Sequence, residues 1–135
     1  MKVPGIDGQK MSKSYNNTIP IFAPENEVRK QVMRIVTDSK RPEEPKDPQD
    51  NTLFTLLSFF ASPERLEEIR QSYIHGGAAY GELKKELTEL ILAHFAEARE
   101  RFIALMNDRT YIDQVLANGA AKARRMGQPY LAAVR

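Results

Sequence analysis

Near its N-terminus the chain carries a short basic segment whose side chains could bind phosphate. The segment comprises Lys10, Met11, Ser12, Lys13 and Ser14. Two ammonium groups three residues apart in a loop can both reach one polyanion, and the serine hydroxyls add hydrogen-bond donors. Gly5 and Gly8 allow the backbone to approach a ligand closely. These residue types suit a loop that closes over a phosphate chain, and they also suit an exposed loop that is basic by chance.

A second group of basic residues lies toward the C-terminus. Residues 109–135 contain five basic residues and one acid, whereas the whole chain has a net charge of +2. Lys122, Arg124 and Arg125 are therefore candidates for contacts with RNA phosphates. The alternative is that these charges only keep a helix face solvated, and the charge pattern leaves both interpretations open.

Composition limits the class of protein. The chain has 135 residues, of which 41% are hydrophobic, enough for one domain with a core. It contains no cysteine, which excludes disulfides and cysteine-ligated zinc, and two histidines are too few for a typical zinc site. No apolar run approaches the roughly 18 residues of a membrane span, and the N-terminus does not resemble a signal peptide. We therefore expect a cytoplasmic protein with no metal site and no membrane partner.

The elements that must position these residues are helical. Residues 1–22 show no helical period and are rich in proline and glycine, which predicts an irregular loop that Ile19, Ile21 and Phe22 hold to the core. Apolar spacing then predicts a helix that starts at Pro24 and ends near Thr37 or Asp38. Residues 39–50 are polar and proline-rich, which indicates a connector.

The remaining pattern predicts four more helices. A buried helix follows a cap at Asp50 or Asn51, and a second begins at the Ser62-Pro63 pair and ends at Gly76. A long helix is predicted over residues 80–106. The last follows a cap at Asp108 and should end or kink at Pro129; its predicted inner side comprises Ile112, Val115, Leu116, Gly119, Ala123 and Met126. No strand alternation is evident, so the prediction is an all-α bundle of about five helices preceded by an irregular loop.

The letters of residues 10–14 are identical to the KMSKS signature of class I aminoacyl-tRNA synthetases. The surrounding sequence GIDGQKMSKSYNNTIPIF, at residues 5–22, resembles the tryptophanyl enzymes of bacterial type. Three further segments are similar to the same family: VMRIVTDS at residues 32–39, GAAYGELK at 77–84 and ANGAAKAR at 117–124. The resemblance covers essentially the whole chain.

The resemblance implies a function. Enzymes of this family are tryptophan–tRNA ligases, which activate tryptophan with ATP to tryptophanyl-adenylate and transfer it to tRNA(Trp). It implies that Lys10 and Lys13 are the catalytic residues and contact the β- and γ-phosphates of ATP. Met11 would lie near the adenine through its backbone, and Ser12 and Ser14 would bind phosphate or hold the loop. Mg²⁺ is expected to accompany ATP, with no tightly bound cofactor.

The resemblance also implies a domain organisation. Residues 1–22 would be the KMSKS loop and linker of a nucleotide-binding domain, and residues 23–135 a C-terminal helical domain of the anticodon-binding type. The sequence contains neither the HIGH-type motif nor the βαβ pattern of the nucleotide-binding domain. We therefore expect that domain and the tryptophan pocket to lie outside this chain, the chain alone to be inactive, and the parent enzyme to be a homodimer. The alternative is a freestanding helical RNA-binding module that has kept a synthetase-like loop.

Overall fold

The computed structural model describes residues 2–134, which form six α-helices and one short 3-10 turn. The helices are α1 (Glu25–Met33), α2 (Thr52–Leu57), α3 (Pro63–His75), α4 (Tyr80–His94), α5 (Ala96–Asn107) and α6 (Arg109–Val134). Within residues 2–134 there is no β-strand, only an isolated antiparallel bridge between Pro4 and Lys10. The all-α prediction is confirmed, with six helices in place of about five.

The chain divides into two compact units, Met1–Ala96 and Glu97–Arg135. In the first unit, α1 and α2 pack against α4. Their apolar faces form a core with Ile69 and Tyr73 of α3, and Ile6 and Ile19 of the N-terminal loop join this core. Ile19 and Ile21 hold the end of the loop as predicted, whereas Phe22 is 42% exposed. The N-terminal loop is thus built onto the same core as the helices.

Local capping signals set several helix boundaries. The Oδ1 atom of Asn51 accepts a hydrogen bond from the Phe54 amide at 3.0 Å, and the Ser62 hydroxyl accepts one from the Arg65 amide at 3.2 Å. Pro63 is the first residue of α3, and Gly76 follows its end with a φ of +88°. These caps satisfy amide groups that would otherwise lack partners. The predicted caps at Asn51 and Ser62 and the stop at Gly76 are confirmed.

The first helix ends earlier than predicted, at Met33 rather than near Asp38. Pro24 is its N-cap and not its first helical residue. Beyond the helix, the ammonium group of Lys84 donates to the carbonyls of Met33 and Ile35, at 3.2 and 2.6 Å. The Val36 amide donates to the Ile6 carbonyl at 2.8 Å. Because the Val36 amide donates to the N-terminal loop, it cannot donate to the Val32 carbonyl as a continued helix would require.

The connector at residues 39–50 is irregular, as predicted, but it buries a lysine. The ammonium group of Lys46 donates to the carbonyls of Arg41 and Glu44, at 2.7 and 2.9 Å. It also lies 5.2 Å from the centre of the Tyr80 ring. Tyr80 in turn donates to Asp38 at 2.9 Å, and burial together with this bond raises the pKa of Tyr80 to about 12. Lys46 therefore organises a connector that has no regular secondary structure.

The long helix predicted over residues 80–106 is interrupted at Phe95, between α4 and α5. The Phe95 backbone leaves helical geometry, with φ −99° and ψ +10°. Its ring lies edge-to-face with Phe60, 6.1 Å between ring centres, and His94 contacts Phe60 in the same way at 5.3 Å. These aromatic contacts lie at the point where the helix is interrupted, which helical periodicity alone does not reveal.

The second unit contains most of α5 and all of α6. The carboxylate of Asp108 accepts from the Tyr111 amide at 3.0 Å, which confirms the predicted cap. The predicted inner side of α6 is wrong: neither α5 nor α6 buries a described residue, and Val115, Leu116 and Met126 are 50 to 65% exposed. Pro129 lies inside α6 and does not end it. No helix within residues 2–134 is both long and apolar enough to cross a membrane.

The buried Lys84 leads to a prediction about stability. Burial lowers the pKa of its ammonium group, and the residue is 9% exposed. A Lys84→Met substitution keeps most of the volume but leaves the Met33 and Ile35 carbonyls without their donor. We expect the free energy of unfolding to fall by about 2 kcal/mol, because a buried group that loses its hydrogen-bond partner retains its desolvation cost. Urea unfolding followed by circular dichroism measures this change.

The adjacent residue offers a matched control. Lys85 is exposed and pairs with Glu82 at 2.9 Å on the helix surface. Lys85→Met should change the free energy of unfolding by less than about 0.5 kcal/mol, since exposed ion pairs contribute little. Equal losses in the two variants would contradict the role assigned to Lys84.

Candidate functional site

The basic segment begins on a small hairpin formed by residues 3–11. The Gly5 amide donates to the Gln9 carbonyl at 2.6 Å, and the Met11 amide donates to the Val3 carbonyl at 2.9 Å. Gly8 lies at the tip with a φ of +82°, a conformation that glycine adopts without strain. The hairpin places Lys10 on its returning arm, opposite Pro4.

A single 3-10 turn follows, over Lys13–Tyr15. The Ser12 hydroxyl accepts from the Ser14 amide at 3.3 Å, and the Ser12 carbonyl accepts from the Tyr15 amide at 3.1 Å. Asn16 closes the turn in the left-handed region, with a φ of +52°. The basic segment thus consists of the end of a hairpin and the start of a turn, and Ser12 shapes the junction.

One buried side chain connects the hairpin to the turn. Asn17 is 1% exposed, and its Oδ1 atom accepts from the Ser12 amide at 2.8 Å. Its Nδ2 group donates to the Lys10 carbonyl at 3.1 Å and to the Asp7 carboxylate at 2.8 Å. The Asn17 carbonyl accepts from the Ile6 amide at 3.0 Å. Residues on both sides of Met11 are therefore bonded to one amide side chain.

The five residues of the basic segment differ in their exposure to solvent. Lys10, Lys13 and Ser14 are exposed, whereas Met11 and Ser12 are half-buried. Lys10 borders an open cleft of about 260 Å³, together with Lys2 and with Asn51 and Thr52 at the start of α2. The charged groups thus face solvent, while the backbone between them is held against the protein.

Met11 points toward the core side of the loop. It lines an apolar recess of about 210 Å³ with Ile21, Phe59 and Phe95 among its other walls. Since Met11 packs against the core of the first unit, its side chain anchors the basic segment.

The described residues present no group of three or more histidine, cysteine, aspartate or glutamate side chains arranged to hold a metal ion. The basic segment itself presents two exposed ammonium groups, the exposed Ser14 hydroxyl and a backbone held by Asn17, which are groups that can bind an anion.

Comparison with known proteins identifies the family. The profile of the tRNA synthetases class I (W and Y) matches residues 2–96. The chain belongs to this family. The matched region coincides with the first compact unit and includes the whole basic segment.

Two curated relatives of this chain are tryptophan–tRNA ligases. The enzyme of Rhodopirellula baltica is 50% identical over 93% of this chain, and that of Pseudomonas aeruginosa is 48% identical over 98% of it. The chain spans 39% and 30% of the length of these two relatives. The similarity therefore extends through α5 and α6, beyond the family profile, while the chain corresponds to less than half of each relative.

A solved structure shows the same fold. The tryptophanyl-tRNA synthetase of Campylobacter jejuni, complexed with ADP and tryptophan, superposes with a TM-score of 0.91 at 40% identity. The alignment covers 99% of this chain and 42% of that structure. A second structure of the same enzyme gives a TM-score of 0.86.

The other predicted site residues of this family member lie on α6. Lys122, Arg124 and Arg125 are all exposed. Lys122 and Arg125 are three residues apart and so share a helix face. They belong to the second compact unit, whereas Lys10 and Lys13 belong to the first.

Two residues that support the loop were missed by sequence reasoning. From the sequence, Asn17 is only one of the residues that interrupt the N-terminal loop and a part of the similar segment at residues 5–22, and Lys84 is only the last residue of the similar segment at residues 77–84. The sequence signal that points to Asn17 is its place, as an amide side chain, between the polar turn and the apolar residues Ile19 and Ile21. No local pattern distinguishes Lys84 from its exposed neighbour Lys85, because the carbonyls that Lys84 contacts lie about 50 residues earlier in the chain.

Proposed function

We propose that this chain is the C-terminal portion of a tryptophan–tRNA ligase of bacterial type. The observation that carries the proposal is the similarity to such ligases over 93 to 98% of the chain, with the KMSKS segment inside the region that the family profile matches. The parent enzyme would join tryptophan and ATP into tryptophanyl-adenylate with release of pyrophosphate, and then transfer the tryptophanyl group to tRNA(Trp). We place it in the cytoplasm, where protein synthesis takes place.

In this proposal the basic segment serves the first step. The tryptophan carboxylate attacks the α-phosphate of ATP, and the bond to the β-phosphate breaks, so negative charge develops on the departing pyrophosphate. Lys10 and Lys13 would contact the β- and γ-phosphates and stabilise that charge, while Ser12 and Ser14 would donate to phosphate oxygens or hold the turn. Met11 would contact the adenine through its backbone. These residues position ATP and stabilise the charge that develops on the pyrophosphate, and none of them acts as a nucleophile.

The proposed site has supporting features in the described residues. Lys10, Lys13 and Ser14 are exposed, and the backbone on both sides of Met11 is bonded to the buried Asn17. Preorganised positive charge of this kind stabilises a transition state without reorganisation during the reaction. Mg²⁺ would accompany ATP and neutralise part of its phosphate charge.

The proposed organisation assigns residues 1–22 to the ATP site and residues 23–135 to a helical domain that receives the tRNA anticodon. Tryptophan would bind in a part of the parent enzyme beyond this chain. We also propose that the parent enzyme is a homodimer, as the resemblance implies.

A comparison of the parent enzyme with this chain tests the proposal. The full-length enzyme should catalyse tryptophan-dependent exchange of pyrophosphate into ATP, whereas the 135-residue chain alone should not, because the proposed tryptophan pocket lies outside it. Exchange is measured with labelled pyrophosphate, and tyrosine replaces tryptophan as the control amino acid. Exchange that depends on tyrosine, or exchange by the chain alone, would contradict the assignment.

The role of the second lysine is tested by Lys13→Ala in the full-length enzyme. Loss of one electrostatic contact to the transition state should raise the barrier to activation by about 3 kcal/mol, which corresponds to a roughly 100-fold slower exchange. Tryptophan affinity, measured by equilibrium dialysis, should change little.

The exposed Lys30 on α1 provides the control for Lys13. Lys30→Ala removes the same charge from the same compact unit outside the basic segment, and exchange should remain near the unmodified rate. An exchange rate that is unchanged in Lys13→Ala, or equally reduced in both variants, would remove Lys13 from the site.

Contacts between α6 and RNA are tested with Lys122→Gln/Arg125→Gln in the full-length enzyme. If these residues neutralise phosphates, affinity for tRNA(Trp) should fall and its dependence on salt should weaken, with a slope reduced by up to about 0.7 to 0.9 per lost contact. Filter binding at two salt concentrations measures both quantities, and Arg124→Gln is assayed in parallel.

Two other exposed arginines in the second unit serve as the control for charge, in the form of Arg101→Gln/Arg109→Gln. This variant has the same net charge as Lys122→Gln/Arg125→Gln. Equal weakening of tRNA binding in both double variants would show that α6 contributes only nonspecific charge.

A further inference from the structure

We propose that Asn17 is a positioning residue for the KMSKS lysines, and that its side-chain amide sets the path of the backbone between Lys10 and Lys13. The inference rests on the proposed function of those lysines in ATP-dependent activation. Asn17 is not offered as a contact to ATP, since it is 1% exposed and its side chain is fully engaged within the protein.

The first argument is the direction of its hydrogen bonds. Oδ1 accepts from the Ser12 amide, while Nδ2 donates to the Lys10 carbonyl and the Asp7 carboxylate. Only a side chain with an acceptor and a two-hydrogen donor on one planar group satisfies all three partners. An aspartate at position 17 could still accept from Ser12, but it could not donate to Lys10 and it would face another carboxylate.

The second argument is the fit around the amide. A Cβ atom added to Gly5 would overlap the side-chain Cγ and Nδ2 atoms of Asn17 and lie 2.7 Å from the Asn17 carbonyl oxygen. Gly5 itself has no positive φ, unlike Gly8. The Asn17 amide therefore fits only because position 5 has no side chain. Gly5→Ala should displace that amide without changing Ser12, Lys10 or Asp7, the residues to which the amide bonds.

The third argument is that Asn17 is bonded to the rigid part of the first unit. The Ile6 amide donates to the Asn17 carbonyl, and the Ile6 carbonyl accepts from the Val36 amide just beyond α1. Lys84 of α4 fixes the neighbouring Ile35 carbonyl at 2.6 Å. Asn17 thus links the core of the first unit to the backbone that carries the exposed lysines. The position of that backbone therefore depends on the core.

The test uses Asn17→Asp in the full-length enzyme. We expect the kcat of tryptophan-dependent pyrophosphate exchange, per tryptophan-binding site, to fall roughly 100-fold, because displacement of catalytic groups by about 1 Å costs that much. Tryptophan affinity should stay unchanged. Gly5→Ala should lower kcat in the same way through a different substitution.

Asn16 supplies the matched control. It is exposed and immediately precedes Asn17, so Asn16→Asp introduces the same charge at almost the same place in the chain. Its exchange rate should fall much less than that of Asn17→Asp, since the added charge is the same but the side chain that bonds to Ser12 and Lys10 is retained. In addition, Asp7→Asn combined with Asn17→Asp restores one donor–acceptor pair and should recover part of the lost kcat.

A measurement without substrates separates this inference from the proposed function. Trypsin cleaves after lysine, and cleavage after Lys10 and Lys13 should be several-fold faster in Asn17→Asp than in Asn16→Asp, because the brace on the loop backbone is lost. If the unmodified enzyme lacks tryptophan-dependent exchange, the proposed function fails, while the cleavage rates still decide whether Asn17 holds the loop.

Two results would overturn the role of Asn17. One is an unchanged kcat with unchanged cleavage after Lys10 and Lys13. The other is a parallel loss of exchange activity and tryptophan-binding sites, with kcat per remaining site preserved, since that pattern indicates general destabilisation and not displacement of the lysines.

Discussion

The hydrogen bond from the Val36 amide to the Ile6 carbonyl joins the N-terminal loop, which carries the basic segment, to the helical core, and the placement of the loop depends on it. On the core side, Lys84 holds the backbone just before Val36 in place. On the loop side, Ile6 is bonded to Asn17, whose amide reaches the backbone on both sides of Met11. A polar and glycine-rich loop therefore has a defined position because its backbone bonds continue into the core.

Buried polar side chains carry much of this organisation. Lys84, Lys46 and Asn17 are each at least nine-tenths buried, and each bonds to backbone groups where the chain has no regular secondary structure. Burying such groups costs free energy unless every donor and acceptor is matched. Among the described residues no buried side-chain nitrogen or oxygen lacks a partner. The irregular segments are thus stabilised by side chains that supply the hydrogen bonds a helix would have supplied.

Local features were predictable from the sequence wherever the cause is local. The caps at Asn51, Ser62 and Asp108 depend on residues three positions apart, and all three are confirmed. The end of α1 and the interruption at Phe95 were not predicted, because their contacts come from residues distant in the chain. The apolar stripe of α6 predicted a buried face, yet none of its residues is buried, and Val115, Leu116 and Met126 are exposed. The periodicity of apolar residues indicates which face of a helix could be buried, but it does not indicate whether another element packs against that face.

By itself the sequence determined the helical class, most helix starts, and the chemistry available at residues 10–14, since these depend on residue type and short-range spacing. Its resemblance to the tryptophanyl enzymes also pointed to the family that the comparisons then showed. Only the tertiary structure decided which hydrogen bonds hold the basic segment in place. The bonds that place Lys10 and Lys13 pass through Asn17, Ile6 and Val36 and are braced from Lys84. They link backbone groups that are far apart in sequence, and no local pattern of residue types specifies which of those groups will meet.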